Sequence, residues 1–151
     1  MSNFKIDEAR LEDIPALVGL LAELFSIEAD FKPDTAKQIK GLQLLLQATD
    51  RSVIKVARDS KNAVVGMVSA QLVISTAQGA PSAWIEDMVV SSSFRGGGVG
   101  RALLQAAQDW SMEKGATRMQ LLVDTENQPA LDYYQHLGWE STQLQARRLF
   151  F

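Results

Sequence analysis

Val89-Val90-Ser91-Ser92-Ser93-Phe94-Arg95-Gly96-Gly97-Gly98-Val99-Gly100-Arg101 is the stretch on which the reading of this chain turns. An apolar strand ends in a short polar loop, four glycines fall within five residues, and an amphipathic helix follows at once. Glycines at a strand-to-helix junction permit positive φ and let a ligand approach the backbone without meeting a Cβ. The helix N-terminus beyond them presents unpaired N–H groups and the positive end of the helix dipole, which together favour an anion such as a phosphate.

Outward from this junction the chain alternates between strand and helix patterns. Upstream, Phe4 to Asp7 alternates like a strand, and Leu11 to Leu24 carries Leu17, Leu20, Leu21 and Leu24 on one helical face. Asp13 is placed to cap that helix and Pro15 suits its first turn. A second, leucine-rich helix is expected from Thr35 to Ala48. Val53 to Arg58 and Val64 to Ile74 read as two strands joined by the turn residues Asp59-Ser60-Lys61-Asn62, and Trp84 to Val90 as the strand entering the glycines. Downstream, the helix from Val99 to Glu113 shows an apolar stripe of Ala102, Leu103, Ala106, Ala107 and Trp110 and ends at Gly115. Met119 to Val123 is a short strand, Asn127 to Leu137 a last helix stopped by Gly138, and Trp139 onward one or two returning strands. The order is mixed α/β, antiparallel in its first half, with one β-α-β crossover around the glycines.

Composition narrows the chemistry. A chain of 151 residues, 46% hydrophobic and 22% charged, is expected to be one globular domain spanning residues 1–151. The net charge of −3 and the lack of a basic block argue against nucleic acid as a partner. With no cysteine and the single histidine His136, thiol catalysis is excluded and a zinc or other metal site is not expected. Residues 1–5 lack the apolar core of a signal peptide and no run is long enough to span a bilayer, so a cytoplasmic location is the expectation.

Three phosphate-binding readings compete for the glycines. A P-loop requires Lys-Ser/Thr after its last glycine, whereas Arg101-Ala102 follows Gly100. A dinucleotide fingerprint requires Gly-x-Gly-x-x-Gly, but Gly96, Gly98 and Gly100 are spaced Gly-x-Gly-x-Gly, and too little sequence follows for a doubly wound sheet. A plain glycine-rich surface turn does not account for the immediate passage into an apolar helix.

What remains is Arg95-x-x-Gly98-x-Gly100 after a strand, which resembles the acetyl-CoA pyrophosphate loop of the GNAT superfamily of N-acetyltransferases, Arg/Gln-x-x-Gly-x-Gly/Ala. A second segment stands at the right distance: Asn127-x-x-Ala130-x-x-Tyr133-Tyr134-x-x-x-Gly138-Trp139 is similar to that superfamily's Asn-x-x-Ala-x-x-aromatic-Tyr-x-x-x-Gly-Phe, with Trp139 in place of phenylalanine. The resemblance implies a GNAT fold: a mixed central sheet of about six to seven strands, splayed at its parallel pair and flanked by about four helices. It implies acetyl-CoA as co-substrate, with backbone groups of Met88, Val89 and Val90 pairing with the pantetheine. The N–H groups of Arg95, Gly96, Gly97, Gly98, Val99, Gly100 and Arg101 would hold the pyrophosphate. Because the backbone holds the ligand, a side chain at Gly97 should be mild, whereas one at Gly98 or Gly100 should clash. Arg95 and Arg101 are either solvated surface charge or contacts to CoA phosphates, and Asn127 is an N-cap, a CoA contact, or both. Dimers are common among such proteins, so a homodimer is also implied.

Acetyl transfer to an amine needs a base for the amine, stabilisation of the thioester oxygen, and an acid for the leaving thiolate. Glu86 and Asp87 are carboxylates in an otherwise apolar strand, facing opposite sides unless a bulge intervenes. Ile85-Glu86-Asp87-x-x-Val90 resembles Leu-Glu-Asp-x-x-Val of the spermidine/spermine branch, which favours Glu86 as base with Asp87 second. The competing reading for either one is a plain salt bridge with a neighbour. Tyr134 occupies the family's general-acid position, where a phenol of ordinary pKa about 10 can donate a proton; Tyr133 and His136 fit packing and exposure better. In GNAT folds the segment joining the first two helices lines the acceptor pocket. Here it holds Glu28, Asp30 and Asp34 beside Phe25 and Phe31, a set that suits a small cationic amine as well as it suits a solvated acidic loop. A polyamine-like small molecule is the first expectation for the acceptor. A protein N-terminus or lysine, or a non-catalytic CoA-binding module, are the alternatives.

Overall fold

In the computed structural model, which describes residues 3–27 and 34–151, the chain divides into two compact units, Met1–Gln120 and Leu121–Phe151. The strands β1 (Phe4–Glu8), β2 (Ser52–Asp59), β3 (Val64–Ser75), β4 (Ala80–Val90) and β5 (Arg118–Leu121) form one sheet in that spatial order. The helices are α1 (Ile14–Ile27), α2 (Thr35–Gln47), α3 (Val99–Glu113) and α4 (Gln128–His136). Short connections make β1 to β4 antiparallel neighbours. The β2–β3 turn closes through Asp59, whose carboxylate accepts the N–H groups of Lys61 and Ala63, with Asn62 in the left-handed region at φ 67°. Residues 76–79 form the β3–β4 turn, and Ala80 and Pro81 already belong to β4.

Cross-strand pairing sorts the side chains onto two faces. Val56, Met67 and Val89 lie in register and join Ile14, Leu17, Leu20, Leu21, Leu42 and Ile54 in one core beneath α1 and α2. The opposite face carries α3, whose Val99, Leu103, Leu104, Ala107 and Trp110 are buried. A Cβ on Gly66 would stand 3.0 Å from Leu103 Cδ1 and 3.2 Å from Val99 Cγ1, so this glycine lets the start of α3 lie close against β3.

Across the crossover, the Thr117 N–H donates to the Pro81 carbonyl at 3.1 Å, and Arg118 Nε donates to Ser82 Oγ at 3.2 Å. The strands β4 and β5 therefore start side by side and run the same way. Counting on the four residues of β5, its ladder reaches the level of Ile85, while β4 continues to Val90.

The entry to α1 departs from expectation. Leu11–Asp13 is a 3₁₀ turn, and Asp13 does not cap the helix through its side chain. Its carboxylate accepts Arg58 Nη1 at 2.9 Å, Arg58 Nη2 at 2.8 Å and the Arg10 N–H at 2.8 Å. Arg58 also donates through Nε to Asp7 at 3.0 Å. The Arg58 side chain is only 4% exposed and that of Asp13 9% exposed. Burying such charges is tolerable only because each donor finds an acceptor. Hydrogen bonds from Arg58 hold both carboxyls below the ordinary carboxylate range, and Asp13, in turn, raises the Arg58 guanidinium above its own.

In the second unit α4 starts at Asn127, whose Oδ1 accepts the Ala130 N–H at 3.2 Å, with Pro129 in its first turn. It ends as the sequence predicts, at Gly138 with φ 94°. The Gly138 N–H bonds the Gln135 carbonyl and the Trp139 N–H bonds the Tyr134 carbonyl, both at 3.0 Å, a Schellman closure. The strands expected after Trp139 are absent: residues 139–151 hold neither helix nor strand. The sheet accordingly has five strands among the described residues, not six or seven. A strand needs a ladder partner, and Leu144, Leu149, Phe150 and Phe151 are instead more than four-fifths exposed.

Candidate active site

The strand β4 carries the site because it is irregular at one point. Met67 pairs with Val89, yet Ser69 pairs with Glu86, so Asp87 and Met88 together stand opposite Val68. This is a β-bulge, and it changes which face each carboxylate takes. Ser69 follows Met67 on the α1–α2 face, and its partner Glu86 shares that face with Val89, three residues along the strand. Simple alternation would have separated them. Asp87 takes the extra position with φ 55°. Asp and Asn are the non-glycine residues most at ease there, so the bulge itself accounts for the residue type at 87.

Glu86 is exposed, and its carboxylate is held: Trp84 Nε1 donates to Oε1 at 2.6 Å. Its backbone is held as well, since Ser69 Oγ donates to the Glu86 carbonyl at 3.1 Å. Asp87 is half-buried and engaged in interactions of its own.

Beyond the bulge, β4 ends at Val90 and the chain enters a 3₁₀ turn at Ser92–Phe94. Arg95 folds back so that Nε donates to the Val90 carbonyl at 3.0 Å, pinning the loop to the strand end. Gly96 and Gly98 adopt positive φ, 81° and 86°, and Gly98 is the N-cap of α3. No side chain caps that helix and no acidic residue lies in its first turn. Its leading N–H groups are thus left to a ligand or solvent, beside the exposed Arg101. The Val99 side chain is buried, so only its backbone is left to meet a ligand. Within the protein itself a Cβ on Gly98 meets nothing within 4 Å, and the cost of a side chain to the fold is the left-handed backbone. At Gly97 a Cβ would make ordinary contact with the Phe94 carbonyl at 3.7 Å. Gly98→Ala is therefore expected to destabilise the protein by about 1 kcal/mol, with Gly97→Ala close to neutral; thermal melts of the two variants check this.

Tyr134 and Asn127 belong to the second unit. Tyr134 lies on α4 with its ring edge-on to Tyr133 at 5.5 Å and to Trp139 at 5.8 Å. The Schellman closure makes the second contact, returning Trp139 over the last turn. Tyr133 and Tyr134 are both half-buried, and His136 is exposed as expected. Phe25 is half-buried on α1 and packs on the core. Asp34 caps α2 by accepting the Lys37 N–H at 3.1 Å. Glu28, Asp30 and Phe31 lie outside the described residues. An open groove of about 560 Å³ between the start of β1 and the β2–β3 turn, lined by Phe4, Lys5, Arg58 and Asn62, contains none of the expected site residues.

Sequence reasoning missed Trp84, although its i, i+2 spacing from Glu86 on a strand places both on one face. It also missed Ser69 and the Asp7–Asp13–Arg58 cluster, in which Arg58 lies 51 and 45 residues from the two carboxylates and leaves no local trace.

Comparison with known proteins bears on the fold and the family. Streptothricin acetyltransferase of Streptomyces lavendulae is 40% identical over 63 residues, which are 38% of this chain and 33% of that protein. The chain thus spans about a third of that curated relative. Glucosamine-6-phosphate N-acetyltransferase of Arabidopsis thaliana superposes with TM-score 0.78 at 20% identity, covering 99% of each chain. The aminoglycoside N-acetyltransferase AAC(6')-Iy, solved in complex with CoA, superposes with TM-score 0.79 at 23% identity, covering 100% of this chain and 95% of that one. These structural likenesses establish the GNAT fold. The model of the acetyltransferase (GNAT) family matches residues 18–139, most of the sequence, and the chain belongs to that family.

Proposed function

We propose that this protein transfers the acetyl group of acetyl-CoA to a primary amine on a small cationic molecule. The observation that carries the reading is the continuous run from bulge to helix in β4 and α3. A held carboxylate, Glu86, is followed within one strand and one loop by an uncapped helix N-terminus with two left-handed glycines. The residues present suit CoA. The leading N–H groups of α3, with Arg101 beside them, would hold its pyrophosphate. The part of β4 past the β5 ladder, at Met88 and Val90, offers backbone edges to an extended amide chain.

Acetyl-CoA supplies an activated thioester when bound. The chain's own groups handle protons and position. Glu86 accepts the proton that the amine must lose, directly or through one water. Tyr134 donates to the departing thiolate, a role supported by its place in the Asn127-to-Trp139 motif. Asn127 fixes the start of the helix bearing that tyrosine. Phe25, Glu28, Asp30 and Phe31 are proposed to line the acceptor pocket, where acidic and aromatic groups would receive a cation. The acetyltransferases of streptothricin and aminoglycosides among the similar proteins favour a small-molecule acceptor over a protein. The family match runs through both compact units, which supports one N-acetyltransferase domain over residues 1–151. The exposed Leu144, Leu149, Phe150 and Phe151 support a homodimer that would cover them.

Release of free thiol from acetyl-CoA across polyamines, aminoglycosides, amino acids and peptides tests the reading. Turnover is expected to be fastest with a small polycationic amine. Faster turnover of peptides would transfer the assignment to a protein acceptor. Tight CoA binding without turnover of any amine would overturn the enzyme altogether.

A further inference from the structure

We infer that Trp84 is a positioning residue for the acetyl-transfer reaction, acting through the carboxylate of Glu86. The inference rests on the reading of Glu86 as the base.

Trp84 pairs with Gln71 and Glu86 with Ser69, so both project from the same face of β4. Indole Nε1–H can only donate, and here it donates to Glu86 Oε1 at 2.6 Å. A donor held against an anionic acceptor makes one of the stronger hydrogen bonds a neutral side chain can offer. The need for it follows from exposure. Glu86 is exposed, and an unrestrained glutamate there would distribute itself over several rotamers. A general base must instead sit within hydrogen-bond reach of the proton it takes, and small misplacements of a reacting group are costly.

Three devices converge on this one residue. Ser69 Oγ bonds its carbonyl, the bulge at Asp87–Met88 sets the direction of its Cα–Cβ bond, and Trp84 holds one carboxylate oxygen. With the indole bonded to Oε1, Oε2 keeps both of its lone pairs for the amine proton. Trp84 is half-buried and its planar ring has only two side-chain torsions, so the donor sits on a stiffer support than a second long flexible chain would give.

A double-mutant cycle on the full chain tests this, using Trp84→Phe, Glu86→Gln and the combination. The readouts are kcat, KM for the amine, acetyl-CoA affinity and the thermal midpoint. Trp84→Phe keeps a β-favouring ring and removes the donor together with part of the indole's bulk, which the thermal midpoint monitors. It is expected to lower kcat by about 10-fold, with acetyl-CoA affinity within about twofold. In the Glu86→Gln background the same change should have no further effect on kcat. Trp84→Tyr, which returns a hydroxyl donor, should recover part of the loss and guards against a folding defect in the Phe variant. Equal fold-losses in both backgrounds, or a loss confined to acetyl-CoA affinity, would overturn the positioning role while leaving Glu86 as base. Wild-type kcat in Glu86→Gln would overturn the base reading, and the role of Trp84 with it.

Discussion

Glu86→Gln lowers kcat for thiol release at neutral pH by about 100-fold or more, the loss typical when a general base is removed. The substitution is close to isosteric. The amide oxygen still accepts from Trp84 Nε1, and the bond from Ser69 to the Glu86 carbonyl involves only the backbone. What disappears is the capacity to accept a proton, so acetyl-CoA affinity should be unchanged. Asp87→Asn is the matched control. Asparagine tolerates the φ of 55° as well as aspartate does, so the bulge should survive the change. Its kcat is expected within a few-fold of wild type. If Asp87→Asn proves the more damaging of the two, the base is Asp87 and the held carboxylate of Glu86 is a structural contact. Steady-state thiol release at saturating acetyl-CoA decides between them.

The largest effect on stability is expected at Asp13, far from the chemistry. Asp13→Asn should cost about 3 kcal/mol, because it removes the charged partner of a buried guanidinium. For a chain of this size that corresponds to a fall of roughly 6–12 °C in the melting midpoint. The amide can still accept the Arg10 N–H, and Asp7 still meets Arg58 Nε, so the fold itself should persist. The pH dependence has a definite sign. Hydrogen bonds from Arg58 lower the Asp13 and Asp7 carboxyls below their ordinary value of 3.8. The stability they contribute is therefore complete above the unfolded value and disappears as pH falls through the depressed folded values. Melting of the wild type should drop steeply below about pH 4, and that drop should be shallower in Asp13→Asn. Circular-dichroism melts at pH 7 and in the acid range provide the measurement. Equal midpoints for the two proteins at pH 7 would remove the cluster from any account of stability.

Much of the fold was legible because its signals are local. The glycines of the loop, the caps at Asn127, Gly115 and Gly138, and the leucine spacing of α1 each report on a few neighbouring residues, and each element formed, α1 beginning three residues later than its pattern because Leu11–Asp13 is a 3₁₀ turn. The α3 limits agree with the reading at both ends. The tail after Trp139 did not follow its pattern. Strand propensity is a statement about a partner, and residues 139–151 have no ladder partner among the described residues.

The candidate site divides in the same way. Residue types and spacing determined by themselves that a glycine-rich loop leads from a strand holding two carboxylates into a helix, because glycine conformation and helix polarity are properties of the chain alone. Tertiary structure decided which carboxylate is presented and how it is held. Whether Glu86 and Asp87 share a face depends on β3 having one residue fewer than β4 between matched pairs, and that count exists only once the strands are zipped together. The Trp84 contact and the pairing of Asp13 with Arg58 likewise depend on distances set by packing, which sequence separation does not encode.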